Sequence, residues 1–192
     1  MRCFDVCRLL MILGASAAVS AQTPSYKNVG RSPSKQEISA WDLAIGPSGK
    51  ELPPGSGTAK TGAGIYASKC VSCHGANLEG TATGPHLVGG QGTMSTLQPV
   101  RTIGSYWPFA TTIWDYINRA MPHGRGGSLS ADEVYALTAF LLFRNGIISE
   151  TDVMDAKSLP KVQMPNRNGF VPARLEDISN MEKRGCRGGH CP

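Results

Sequence analysis

The apolar positions of this chain gather into three stretches of helical period, separated by segments rich in Pro, Gly and Ser. Between residues 59 and 70, Gly62, Tyr66 and Cys70 recur every four positions, which places all three on one face of a helix. A second helix is predicted after Pro108 over "FATTIWDYINRAM", with Ile113, Trp114 and Ile117 as its apolar stripe. It has to stop near Met121, because Pro122 disfavours helical geometry at the residue before it. The third helix carries the strongest boundary signals. Ser130 and Glu133 are spaced as a capping box, Leu129 can staple onto Val134, and Val134, Leu137, Thr138 and Leu141 follow until Asn145 and Gly146 end the run. A further capping box, Ser34 with Glu37, predicts a helical turn or two reaching Trp41. No alternating stretch of useful length predicts a strand, so the pattern reads as all-α.

Composition divides the chain around that helical core. Residues 1–21 have the parts of a secretory signal peptide: Arg2 and Arg8, an apolar run over 9–19, and small residues before Gln22. Export to the periplasm is therefore expected. The apolar run falls well short of the ~20 residues that cross a bilayer, so no membrane span is expected. Residues 22–57 read as an irregular amino-terminal extension containing "GPSGKELPPGSG", residues 58–146 as the helical domain, and residues 147–192 as an irregular carboxy-terminal extension with prolines at 160, 165 and 172. The formal charge is +5; removing Arg2, Arg8 and Asp5 with the leader makes it +4. That charge is scattered rather than clustered and gives no nucleic-acid footprint.

The chemistry concentrates in "KCVSCHG" at residues 69–75. Two thiols three apart serve a redox dithiol, half of a zinc site, or a covalent haem. A thioredoxin-like dithiol needs a strand-helix frame, and no strand run precedes Ala59. Zinc needs two more ligands at matched spacing, and Cys186 and Cys191 lie more than a hundred residues away. Covalent haem needs neither. Cys70 and Cys73 can each form a thioether with a vinyl group while His74 turns its ring to the iron, so the motif is read as the anchor of one haem c.

The iron's sixth position has several candidates: Met94, Met121, Met154, Met164, Met181, His86, His123 and His190. Most methionines fill cores. Met121 stands apart because it sits on the break between the second and third helices, where a loop can lie against the distal haem face. The order of preference is Met121, Met164, His123; an open sixth position would belong instead to a haem peroxidase or gas sensor. The closing "CRGGHCP" reads as a Cys186–Cys191 disulfide, with Gly188 and Gly189 allowing a short loop to close.

With these residues in place, the stretch 58–146 resembles the small single-haem cytochromes c: the Gly62/Tyr66 helix, the Cys70-Cys73-His74 anchor, Gly84-Pro85-His86-Leu87, Met121-Pro122 and a terminal helix. The resemblance implies that the Pro85 carbonyl accepts a hydrogen bond from the His74 ring, that His74 and Met121 are the axial ligands, and that the first and last helices cross. Gly62 and Tyr66 would then meet Tyr135, Ala139 or Leu142.

A narrower resemblance extends to the flanks. "AWDLAIGPSGKELPPGSG", "LVGGQGTM", "RTIGSYWPFATTIWDYINRAMP", "LSADEVYALTAFLL" and "DAKSLPKVQMPNRNGF", spanning roughly residues 40 to 172, are similar to the cytochrome subunit of sulfane dehydrogenase in thiosulfate-oxidising bacteria. That resemblance implies a molybdenum-cofactor dehydrogenase subunit as partner, oxidation of sulfane or sulfite sulfur by that partner, and a downstream c-type cytochrome that removes the electrons. The chain itself would be an electron-transfer subunit and not catalytic alone. The flanks would form the docking surface, with "GSYWPF" near the haem edge. A stand-alone carrier cytochrome is the rival reading, and the long flanks argue against it.

Overall fold

The structure is a computed structural model and describes residues 29–170. The expected signal peptide and the expected Cys186–Cys191 disulfide lie outside the described residues. The chain divides after Asp42 into two units.

The first unit holds one short helix, α1 (Lys35–Trp41). Its start is the expected capping box: the Glu37 amide donates to Ser34 Oγ at 3.2 Å, and the Ser34 amide donates to Glu37 Oε2 at 2.8 Å. Arg31 forks onto the same carboxylate and is the main reason the Glu37 carboxyl is held down at about 2. None of the α1 residues is buried.

The second unit runs β1 (Ser56–Thr58), α2 (Ala59–Lys69), α3 (Val71–His74), α4 (Ala110–Ala120), α5 (Ala131–Arg144) and β2 (Val153–Asp155), with single 3₁₀ turns at Thr93–Ser95 and Leu159–Lys161. It is all-α apart from one antiparallel pair in which Gly57 faces Met154. The pair escapes the sequence pattern because three residues per strand are too few to show alternation.

Thr58 caps α2 by accepting from the Thr61 amide at 3.4 Å. The helix does not carry on through the cysteine motif. Cys70 leaves helical geometry at φ −124° and ψ −30°, and α3 resumes as a separate turn. Gly62 and Tyr66 follow one another down α2 and Cys70 is its C-cap, but Cys70 and Cys73 do not share one continuous helix.

α5 is the central helix. Ser130 and Glu133 form its capping box, and every residue from 134 to 142 is buried, as expected of a helix packed on all sides. α2 crosses it at Gly62, where a Cβ would run into the Ala136 carbonyl and lie 2.7 Å from the Phe140 Cβ. One turn on, the Tyr66 and Phe140 rings sit 5.2 Å apart. The contact face is thus Ala136 and Phe140, one position away from the expected Tyr135, Ala139 or Leu142. Tyr135 instead stacks against Trp114 at 5.5 Å and donates its hydroxyl to the Pro53 carbonyl at 2.9 Å. In a run buried on every side, apolarity does not single out a face; the small side chain of Ala136 does.

α4 packs Ile113, Trp114 and Ile117 inward and ends at Ala120, with Met121 extended at ψ 147°. Phe109 stands at its N-cap, and Pro108 lies one residue before that cap. Beyond α5 the chain returns to the same core: Met154, Leu159, Val162 and Met164 are all buried there. Through residue 164, therefore, the carboxy-terminal segment is part of the helical core and not a separable strap.

Candidate haem site

The motif turn is fixed from three directions. Tyr66 donates its hydroxyl to the Gly75 carbonyl at 2.8 Å, bolting α2 to the end of α3. Thr81 donates its hydroxyl to the Cys73 carbonyl at 2.6 Å, and its amide donates to Gly84 at 2.8 Å. Gly84 passes so close to the motif that a Cβ would lie 2.6 Å from the Cys73 carbonyl oxygen and 3.1 Å from His74 Nδ1. Only glycine allows that approach. It brings the next residue, Pro85, into place: its carbonyl lies 2.8 Å from His74 Nδ1. The carbonyl can only accept, so Nδ1 carries the proton and Nε2 is the nitrogen left for a metal.

Cys70, Cys73, His74, Pro85 and Met121 all line one cavity of about 420 Å³. Small-molecule and cofactor sites span roughly 300–1,000 Å³. The rest of the wall is mainly apolar, from Ile103, Ile113, Ile117, Leu129, Leu137 and Leu141. These residues were not anticipated as site residues. Their signal, helical period on α4 and α5, is the same one that marks ordinary core, so the sequence does not separate core from cofactor wall.

His86 and His123, which rank behind Met121 among the candidates for the sixth position, line the same cavity. Met164 does not; it is 3% exposed within the core. Trp107 and Tyr116 stand at the cavity with their rings 5.5 Å apart, nearly perpendicular. Tyr106, also from "GSYWPF", packs instead against Phe170 at 5.1 Å.

The electrostatics bear on which chemistry the thiols serve. Burial pushes the Cys70 thiol up to about 11, Lys69 opposing and Cys73 adding to the rise. A redox dithiol works through a lowered thiol pKa, the reverse of this. Among the described residues no three His, Cys, Asp or Glu side chains gather as a metal cluster, so no four-ligand zinc site forms there. Two thiols, a histidine with Nε2 available, and an apolar cavity of this size fit haem. Burial also pushes Tyr66 up to about 12, so its hydroxyl remains a neutral donor to Gly75.

Helices around an apolar cavity that carries a Cys-x-x-Cys-His anchor define a cytochrome c domain, the class that carries haem c. Residues 57–141 match the family described as cytochrome c oxidase, cbb3-type, subunit III. A wider likeness is to the crystal structure of the sulfane dehydrogenase SoxCD from Paracoccus pantotrophus: 40% identity, 86% of this chain and 83% of that chain covered, TM-score 0.70. The chain belongs to the family of cytochrome c subunits of sulfane dehydrogenases. No curated protein sequence matches it.

Proposed function

We propose that this chain is a periplasmic monohaem c-type cytochrome that accepts electrons from a molybdenum-containing sulfane or sulfite dehydrogenase subunit and passes them to another c-type cytochrome. The observation that carries this reading is the gathering of Cys70, Cys73, His74 and Met121 around one apolar cavity. When bound, the haem supplies a one-electron iron couple. Cys70 and Cys73 hold it through thioether bonds. His74 would offer Nε2 to the iron, its ring kept in a single tautomer and orientation by the Pro85 carbonyl. Met121, extended at the end of α4 and lining the same cavity, would offer its sulfur as the second iron ligand. Met164 is spent in the core and is not a wall residue.

A Met/His pair raises the potential and leaves no iron position free for substrate, which suits a carrier. Oxidation of sulfur then belongs to the partner subunit, as the family likeness implies. The apolar wall excludes water, so little solvent has to reorganise when the charge on the iron changes.

The test is anaerobic mixing. With the dehydrogenase subunit and a sulfane or sulfite substrate, this protein's haem is expected to turn to the reduced spectrum, then reoxidise on addition of an oxidised c-type cytochrome. Reduction by substrate without the subunit, or no reduction within an intact complex, would refute the assignment.

A further inference from the structure

The carboxy-terminal segment contributes its last core residue at Met164, which is 3% exposed, and none of residues 165–170 is buried. Those residues are nevertheless fastened down. Asn166 donates its side-chain amide to the Tyr106 carbonyl at 2.7 Å. The Arg167 guanidinium carbon lies 5.3 Å from the centre of the Phe109 ring, and the Phe170 ring meets the Tyr106 ring nearly perpendicularly at 5.1 Å. Three contacts thus order residues 166–170 against residues 106–109, yet Phe170 stays 52% exposed. A segment that served only to cover the core could end at Met164.

The face so built has two further properties. Tyr106 directly precedes Trp107, which lines the haem cavity, so the face stands one residue from the cofactor wall. Its charge is also one-sided. The chain carries no acidic residue between Glu79 and Asp115 and none from Ala156 to Phe170, while Lys157, Lys161 and Arg167 fall in the second stretch. Arg167 has no carboxylate partner among the described residues. A guanidinium over an aromatic ring is held in place without being neutralised. Exposed aromatic rings beside arginine are the side chains that most often anchor protein interfaces.

We propose that the face formed by Tyr106, Phe109, Arg167 and Phe170 is the docking site for an acidic patch on the molybdenum dehydrogenase subunit. This rests on the electron-acceptor reading above. The match to the cytochrome c family ends at residue 141, whereas the likeness to the SoxCD sulfane dehydrogenase covers 86% of this chain, far more than that domain. A segment outside the haem domain, ordered on the surface beside the haem wall, serves the subunit that delivers electrons; a mobile acceptor can be met through the haem domain itself. The aromatic rings supply the buried anchor and Arg167 supplies the charge that selects a carboxylate-bearing surface.

The test is calorimetric titration of the full-length, haem-loaded protein with the molybdenum dehydrogenase subunit at low and moderate salt, with Arg167→Glu and Phe170→Ala beside the unmodified protein. The haem spectrum and the rate of reoxidation by an oxidised c-type cytochrome are read for each. Both substitutions are expected to weaken binding about tenfold or more while leaving spectrum and reoxidation unchanged. The loss in Arg167→Glu should shrink as salt rises, because charge repulsion is screened, and the loss in Phe170→Ala should not. Equal affinity of Arg167→Glu and the unmodified protein would overturn the proposal. So would slowed reoxidation with binding intact, which gives the face to the acceptor cytochrome, or a dimer of this chain that either substitution dissolves. An unmodified protein that does not bind the subunit refutes the function reading, and this inference with it. If Arg167→Glu loses its haem spectrum, the affinity of Phe170→Ala decides.

Discussion

The crossing of α2 over α5 makes a prediction that separates two glycines only two positions apart in one helix. At Gly62 a Cβ would lie 2.6 Å from the Ala136 carbonyl carbon and 2.7 Å from the Phe140 Cβ, besides striking the carbonyl oxygen. Carbon atoms rest about 3.5–4.0 Å apart. Gly62→Ala therefore forces the two helices to part by about 1 Å, and no flexible side chain is present to give way. Overpacking of this sort costs about 1–3 kcal/mol, and blocked backbone atoms argue for the upper end. The better helix propensity of alanine returns ~1 kcal/mol. The net expectation is a loss of about 2 kcal/mol.

Gly64, in the same helix, is exposed, and a Cβ there meets nothing within 4 Å. Gly64→Ala should gain ~0.5–1 kcal/mol from propensity alone. Denaturant unfolding of the haem-loaded variants reads both, and for a domain of this size the gap of about 3 kcal/mol corresponds to roughly 6–12 °C in Tm. A Gly62→Ala variant as stable as the unmodified protein would refute the close crossing. A destabilised Gly64→Ala would show that the helix loses something other than packing space.

Three further outcomes are expected. Replacing both Cys70 and Cys73 by Ala should let the haem wash out in acid acetone, where the unmodified protein retains it. Glu133 caps α5 and pairs with Lys69, and that pairing is the main reason its carboxyl lies below the ordinary carboxylate value. A lowered folded pKa contributes stability above the unfolded value, which is lost as pH falls through the folded value; Glu133→Gln, which can still complete the capping box but loses the ion pair, should cost about 0.2–1 kcal/mol at neutral pH and little in acid, read by unfolding curves at both. Truncation after Gly146 removes β2 and the buried Leu159 and Met164, each worth about 2–5 kcal/mol, so the shortened chain should fail to hold its haem spectrum on mild heating.

The helices that build this site were legible because each carries its own local signal. α5 announces itself through Ser130 and Glu133, and α4 has to stop where Pro122 follows Met121. The Cys70-Cys73-His74 anchor is legible because covalent haem needs nothing distant in sequence. What the sequence hides is relational. Gly84 looks like a loop residue until the backbone passes against Cys73, and the β1–β2 pair exists only because a far segment returns. The break at Cys70 is invisible to four-residue spacing, which continues smoothly from Gly62 and Tyr66. Arg101 reads as one more scattered positive charge until the cavity forms beside it.

The central claim is a closed site with His74 and Met121 on the iron, and the optical spectrum tests it most directly. The oxidised unmodified protein is expected to show a sulfur-to-iron charge-transfer band that survives Met164→Ala and disappears in Met121→Ala, and carbon monoxide should bind the reduced haem only in the Met121 variant. Loss of the band in Met164→Ala alone, or carbon monoxide binding by the unmodified reduced protein, would contradict the account.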